Sequence, residues 1–218
     1  MRTSHAFTLI ELLTVLGLIG LMTGVMGLAW RDGSPGIALE SAQGTVVSLL
    51  AAARGQAVLH QNRAMLVVDA DPAQELFLRG IHIAIETAPG SGRWWITGDG
   101  TVLPRGIYFV PGSGGVSGAT LEAAPSGWPD TRRSSTELLP GESIAPAPEN
   151  PGGKYLGLVT PLTASGLPGA GGGDKLVLAI ARRTTTGVIF AHPEQVRGVA
   201  VSAYGVAILI NEGIGFDF

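Results

Sequence analysis

The chain has 218 residues, a formal net charge of −3, 45% hydrophobic and 14% charged residues, and no cysteine. That length allows one domain with its own core, or a membrane segment followed by a domain of about 150 residues. Two lysines (Lys154, Lys175) and scattered arginines in a slightly acidic chain exclude a nucleic-acid footprint built on clustered base, and the lack of cysteine excludes disulfides and thiolate metal sites.

The first six residues, MRTSHA, hold one fixed positive charge, Arg2, which favours a cytoplasmic N-terminus for the segment behind it. From Leu12 to Trp30 no residue is charged. As a helix rising about 1.5 Å per residue this run covers roughly 28 Å, close to one hydrocarbon thickness. Arg31 and Asp32 end it. Three readings fit such a run: a secretory signal peptide with Gly27-Leu28-Ala29 as its cleavage site, an uncleaved signal anchor, and a prepilin-type segment. Glu11 separates them. A carboxylate in an inserting segment costs about 2.5–3.5 kcal/mol at the bilayer centre and less near the interface, and a plain signal peptide has no use for one. A cut between Ala6 and Phe7 would create an α-amino group four residues from Glu11. That amine is the obvious cation to neutralise the carboxylate, from a neighbouring copy if the helices pack with a stagger.

After Trp30, "RDGSPG" breaks the helix, and Ser34-Pro35 restarts one with a hydroxyl cap and a proline at the first helical position. From Ile37 to Asn62, Leu39, Ala42, Val46, Leu49, Leu50, Ala53 and Ala57 recur at three- and four-residue steps on one face. The alanines require a closely packed neighbour, a sheet of the same subunit, and His60 falls at the stripe's edge as a partly buried structural histidine. The period then changes to strands. "AMLVVDADP" ends in turn chemistry, and "ELFLRGIHIAIET" reads as a second strand. "RWWITGDGTVLPRGIYFVP" reads as two runs around a Gly-Asp-Gly turn. Residues 112–173 are dense in Gly, Pro and Ser, with apolar islands such as "KYLGLV" but no sustained period, and read as an elaborated loop or insertion. Strand patterns return in "DKLVLAIARRTTTGVIFAHP" and "VRGVAVSAYGVAILINEG". The expected class is α+β: a long N-terminal transmembrane and amphipathic helix packed, by its second part, on a C-terminal antiparallel β-sheet domain.

Catalytic patterns are weak. The histidines His5, His60, His82 and His192 show no metal-ligand spacing. "GAGGGDKL" departs from a phosphate loop at Asp174 and Leu176, and reads as a linker before a strand. "GVSGA" around Ser117 lacks the second glycine of a nucleophile elbow. Trp94 and Trp95 point to opposite faces of a strand, one to the core and one to a helix or subunit contact. The tail with Glu212 and Asp217 has no Asp-rich calcium loop. No cofactor and no metal site is expected.

The stretch "A-FTLIELLTVLGLIG", Ala6 to Gly20, closely resembles the class III signal of type IV pilins and type II secretion pseudopilins. "SLLAAARGQAVLHQNRAMLVVD", Ser48 to Asp69, and "GDGTVLPRGIYFVP" resemble the helix-to-strand junction and middle hairpin of GspH/FimT-type minor pilins. The first likeness covers about 25 residues, the second about half of the chain. The resemblance implies a leader at 1–6 removed by a prepilin peptidase, N-methylation of Phe7, and Glu11 as the assembly glutamate at the fifth place of the processed chain. One departure is Ala6, where the family usually has Gly. Residues 7–30 would form the transmembrane and filament-core helix, 31–63 its amphipathic continuation, and 64–218 a periplasmic β domain with the Gly/Pro-rich insertion at 112–173. The implied function is a structural, non-enzymatic subunit, a minor pseudopilin of a type II secretion pseudopilus or a subunit of a type IV pilus. Its partners would be other pilin subunits, the prepilin peptidase, the inner-membrane assembly platform and membrane lipid. The other reading is a membrane-anchored periplasmic β domain that binds carbohydrate or acts as a hydrolase.

Overall fold

The structure, a computed structural model, describes residues 9–29, 35–112, 116, 132–139, 144–145, 154–169, 174–185, 187–190 and 195–211, without the side chains of 24–29. Two compact units divide the chain, Met1–Pro35 and Gly36–Phe218. The first holds helix α1, Leu9–Ala29. The second contains nearly all of helix α2, Pro35–His60, and all the strands. Proline opens α2 as the sequence predicts, while Ser34 and the break before it lie outside the described residues.

α2 stops on a reversal that needs no glycine. Gln61 takes a left-handed φ of 53°. The amide of Asn62 donates to Ala57 O at 3.2 Å and that of Gln61 to Val58 O at 3.4 Å, a Schellman pattern that satisfies two of the helix's last carbonyls. The predicted stripe is the buried face: Leu39, Ala42, Val46, Leu50, Ala53 and Ala57 are buried, and Leu49 is half-buried. Gln43 joins them. Its amide donates to Gly198 O at 2.7 Å and Ile210 O at 3.3 Å, so a polar side chain inside the core is satisfied by strand carbonyls.

The strands are β1 (Ala64–Asp69), β2 (Gly80–Glu86), β3 (Trp94–Val102), β4 (Ile107–Phe109), β5 (Thr136–Leu139), β6 (Ile144–Ala145), β7 (Tyr155–Leu158), β8 (Lys175–Arg183), β9 (Val188–Phe190), β10 (Val196–Val201) and β11 (Ala207–Ile210). They form two sheets, β5-β7-β1-β2-β3-β6 and β11-β10-β8-β4, with β9 also paired to β8. Pairing is antiparallel except between β3 and β6. The expected α+β class and antiparallel domain are what the structure has, with two sheets.

Four local expectations change. Residues 75–79 of the second predicted strand are turns, and β2 begins at Gly80. Phe77 and Leu78 are apolar because they plug the core at 0% exposure. Leu78 bridges the sheets, its amide donating to Asp69 O at 2.8 Å and its carbonyl accepting from Phe109 at 2.9 Å. Gly98-Asp99-Gly100 is a bulge within β3 and not a hairpin turn. Ile81 pairs with Thr101 and Ile83 with Thr97, so β3 uses four residues where β2 uses two. Gly98 and Gly100 carry φ near +70°, and a Cβ on Gly100 would press into the His82 ring. The stretch 112–173 is not a loop throughout: it supplies β5, β6 and β7, and β7 lies inside the first sheet between β5 and β1. Tyr155, Leu156 and Leu158 are each 2% exposed. Gly157 interrupts their pattern because a Cβ there would crowd Met65 Sδ and Leu139. Finally, the last two predicted runs are each hairpins, closed by Thr184–Gly187 and Ser202–Val206 contacts.

An ion pair ties the end of α2 to the first sheet. Arg63 binds Glu86 in a bidentate pair along one guanidinium edge, with Nε donating to Oε2 at 2.6 Å and Nη2 to Oε1, and stands 5.5 Å over the Trp94 ring. Glu86, whose side chain is 0% exposed, also accepts the Gly92 amide at 2.8 Å. Arg63 holds the Glu86 carboxyl below its usual range, against the opposing effect of burial. A depressed carboxylate stabilises the fold above its unfolded pKa, and that stability is lost as pH falls through the folded value. Glu86→Gln should therefore cost about 2 kcal/mol at pH 7, the scale of charged hydrogen bonds discounted because the Arg63 side chain is 39% exposed. Urea denaturation should show the deficit shrinking as pH drops below the ordinary carboxylate range. An equal deficit at pH 7 and pH 3 would contradict the assignment.

Candidate functional site

Ala6 and Phe7 lie outside the described residues, and Glu11 stands in the first turn of α1. A carboxylate there meets the positive end of the helix dipole. α1 has 21 residues, about 31 Å at 1.5 Å per residue, enough to cross hydrocarbon. Its described side chains are all exposed, from 51% at Val15 to 79% at Leu9 among the large hydrophobic ones. Its hydroxyls are turned inward on the helix itself. Thr14 Oγ1 lies 2.8 Å from Ile10 O, and Thr23 Oγ1 donates to Ile19 O. Such back-bonding lets a threonine sit in an apolar medium without an unsatisfied donor. Gly17 and Gly20 leave open surface, with nothing within 4 Å of an added Cβ. Among the described residues α2 is the helix long and apolar enough, by length and composition, to cross a membrane, but its buried stripe belongs to the β domain's core.

The β domain gathers other chemistry in its interior. Asp69 of β1 and Tyr155 of β7 are cross-strand partners, and His82 of β2 pairs with Val67 two residues before Asp69. All three side chains therefore project from one face. His82 Nε2 is 3.3 Å from Asp69 Oδ2, and its ring meets Tyr155 edge-on at 6.0 Å. Burial and the Asp69 charge push the Tyr155 hydroxyl up to about 12. Gly80 and Gly100 make the room: a Cβ on either would run into Asp69 or His82. An Asp-His pair can serve as general base and orienter, but a base must reach its substrate. Here the two side chains are 6% and 11% exposed beneath the β3 bulge, and the pair packs the sheet.

Asp174, in the segment resembling a phosphate loop, has a structural task. It accepts the Thr160 amide at 2.7 Å, while its own carbonyl accepts Val201 N–H at 2.7 Å. Burial raises its pKa, partly offset by the Thr160 bonds. Trp94 is buried and Trp95 meets His60 at 5.6 Å edge-on, which is the core-and-helix division expected of the pair. His60 is exposed and not partly buried, because the helix ends there and turns it outward. Among the described residues no three His, Asp or Glu side chains gather as a metal site. Ser117, His5, His192, Glu212 and Asp217 lie outside the described residues. The sequence missed the Arg63–Glu86 and Asp69–His82 pairs, which only strand register brings together. The one signal was a lone acid or histidine inside an apolar strand.

No protein-family model and no curated protein matches the chain. Two solved structures resemble it. One is the minor pseudopilin EpsH from the type 2 secretion system of Vibrio cholerae, 15% identical with a TM-score of 0.43, covering 81% of this chain and 97% of that one. The other, a crystal structure of the same organism's minor pseudopilin EPSH, is 16% identical with a TM-score of 0.42, covering 83% and 98%. At this level of similarity neither assigns a function.

Proposed function

We propose that the chain is a structural subunit of a type II secretion pseudopilus or type IV pilus, of the minor-pseudopilin kind. The observation that carries this reading is α1: an exposed, membrane-length apolar helix whose only acid, Glu11, stands in its first turn behind the pilin-like Ala6-Phe7 junction. In this account α1 anchors the precursor in the inner membrane with the β domain in the periplasm. A prepilin peptidase removes residues 1–6, and Phe7 is N-methylated. The assembly platform then draws the helix from lipid into a bundle of neighbouring subunits' helices. There Glu11 meets the amine of an adjoining Phe7, which fixes the axial offset. The alternative, an anchored carbohydrate-binding or hydrolytic domain, has no specific observation in its favour: Trp95 is engaged by His60, and the Asp69–His82 pair is enclosed.

Intact-mass measurement of membrane-extracted protein should give a chain beginning at Phe7 with about 14 Da added for one methyl group. A mature start at Trp30 would make the segment an ordinary signal peptide. Glu11→Val should insert and be processed at least as well as the native chain, since the charge penalty is gone and the cut is untouched. It should be depleted from sheared filaments, because an ammonium without its partner in a low-dielectric bundle is unfavourable by several kcal/mol, on the order of 3–5. Incorporation at the native level would show that the pairing role is wrong.

A further inference from the structure

Among the described residues β11 is an edge strand of the second sheet, paired only with β10. Its own Ile208 and Leu209 are 48% and 53% exposed, and Val206 just before it is 53% exposed. Unpaired backbone with apolar side chains on both faces is a template for another strand. Beside this edge runs a groove of about 510 Å³. Its floor is Ala207, Leu209 and Asn211, alternate residues on one face of the strand, and its wall is Glu40, Gly44 and Val47, one stripe of α2. Gly44 keeps that wall low, with nothing within 4 Å of an added Cβ. Its lining is mixed: Arg197 Nη1 donates to Asn211 O at 2.5 Å, and Glu40 adds a carboxylate beside apolar Val47, Ala207 and Leu209.

The chain carries a sequence that suits it. The residues after Asn211 read Glu-Gly-Ile-Gly-Phe-Asp-Phe, with Ile214, Phe216 and Phe218 at alternate positions and glycine or aspartate between them. Added beside β11, such a segment would direct its large apolar side chains into the groove and its small ones to the opposite face. β11 ends toward Asn211, so a segment of the same chain would have to reverse at once to lie beside it, whatever its sequence. A neighbouring subunit's segment needs no reversal. We propose that this groove is a strand-acceptor site for residues 212–218 of a second copy of the chain, a contact between β domains that accompanies helix bundling. It rests on the assembly reading above.

The native chain has no cysteine, so introduced pairs give an unambiguous readout. Copies carrying Leu209→Cys are co-expressed with copies carrying Ile214→Cys, Gly215→Cys or Phe216→Cys, and sheared filaments are oxidised and run without reductant. The expected product is a disulfide-linked dimer from the Ile214→Cys or Phe216→Cys mixtures, absent from Gly215→Cys and from single-variant filaments, since only one face can approach Leu209. If a chain carrying both Leu209→Cys and Phe216→Cys closes on itself while the mixtures stay monomeric, the segment docks in its own subunit and the proposal fails. It fails also if filaments incorporate every variant at the native level and no disulfide forms. Native chains that never enter filaments would overturn the assembly reading itself, and this contact with it.

Discussion

Ten large hydrophobic side chains between Leu9 and Met22 are more than half exposed along α1, and this surface constrains everything else the chain does. Taking it out of water is worth on the order of 10–20 kcal/mol, as much as the whole folding stability of an ordinary domain. The cost of carrying Glu11 into the same environment is about 2.5–3.5 kcal/mol at most, and less near the interface. Burial therefore wins by a wide margin, and the carboxylate cannot keep the helix in water. What it can do is discriminate among positions. Lipid removes the apolar surface from water as well as a helix bundle does, but lipid offers the carboxylate no fixed cation. In the proposed assembly a bundle with the correct stagger would offer one, so that a small electrostatic term would decide register while a large hydrophobic term supplied the drive.

The β domain follows a different logic. α2 meets the sheets through alanines, which bring backbone close to backbone, and through Gln43, whose amide caps carbonyls of β10 and β11. Arg63 and Glu86 then lock the helix's end to β2. Among the described residues the second sheet ends at β11 with apolar side chains exposed, and that is the edge the proposed contact between subunits would use.

Much of this was legible in the residues. The α2 stripe could be read because apolar residues and alanines recurring every 3.6 positions fit one face of a helix and neither face of a strand; Leu49 alone sits higher than expected. Gln43 could not be read: its partners lie 155 and 167 residues away, and nothing local marks a glutamine as buried. β7 was hidden because Gly157, required by Met65 and Leu139, breaks the alternation that identifies a strand. Phe77 and Leu78 misled for the opposite reason, being apolar as plugs and not as strand residues. Gly-Asp-Gly in β3 imitates a turn because a bulge and a turn ask for the same positive φ. At the candidate site, Glu11 stood out at once as a charge in an apolar run, whereas the β11 groove required strand order to be known.

The claim at the centre of this account is that Glu11 finds its cation on a neighbouring subunit. A reconstruction of the purified filament at side-chain resolution tests it most directly. The account predicts α1 helices bundled along the axis, with the Glu11 carboxylate about 3 Å from the Phe7 nitrogen of an adjoining copy. A filament held together by its β domains, or one in which Glu11 faces away from every neighbouring N-terminus, would contradict it.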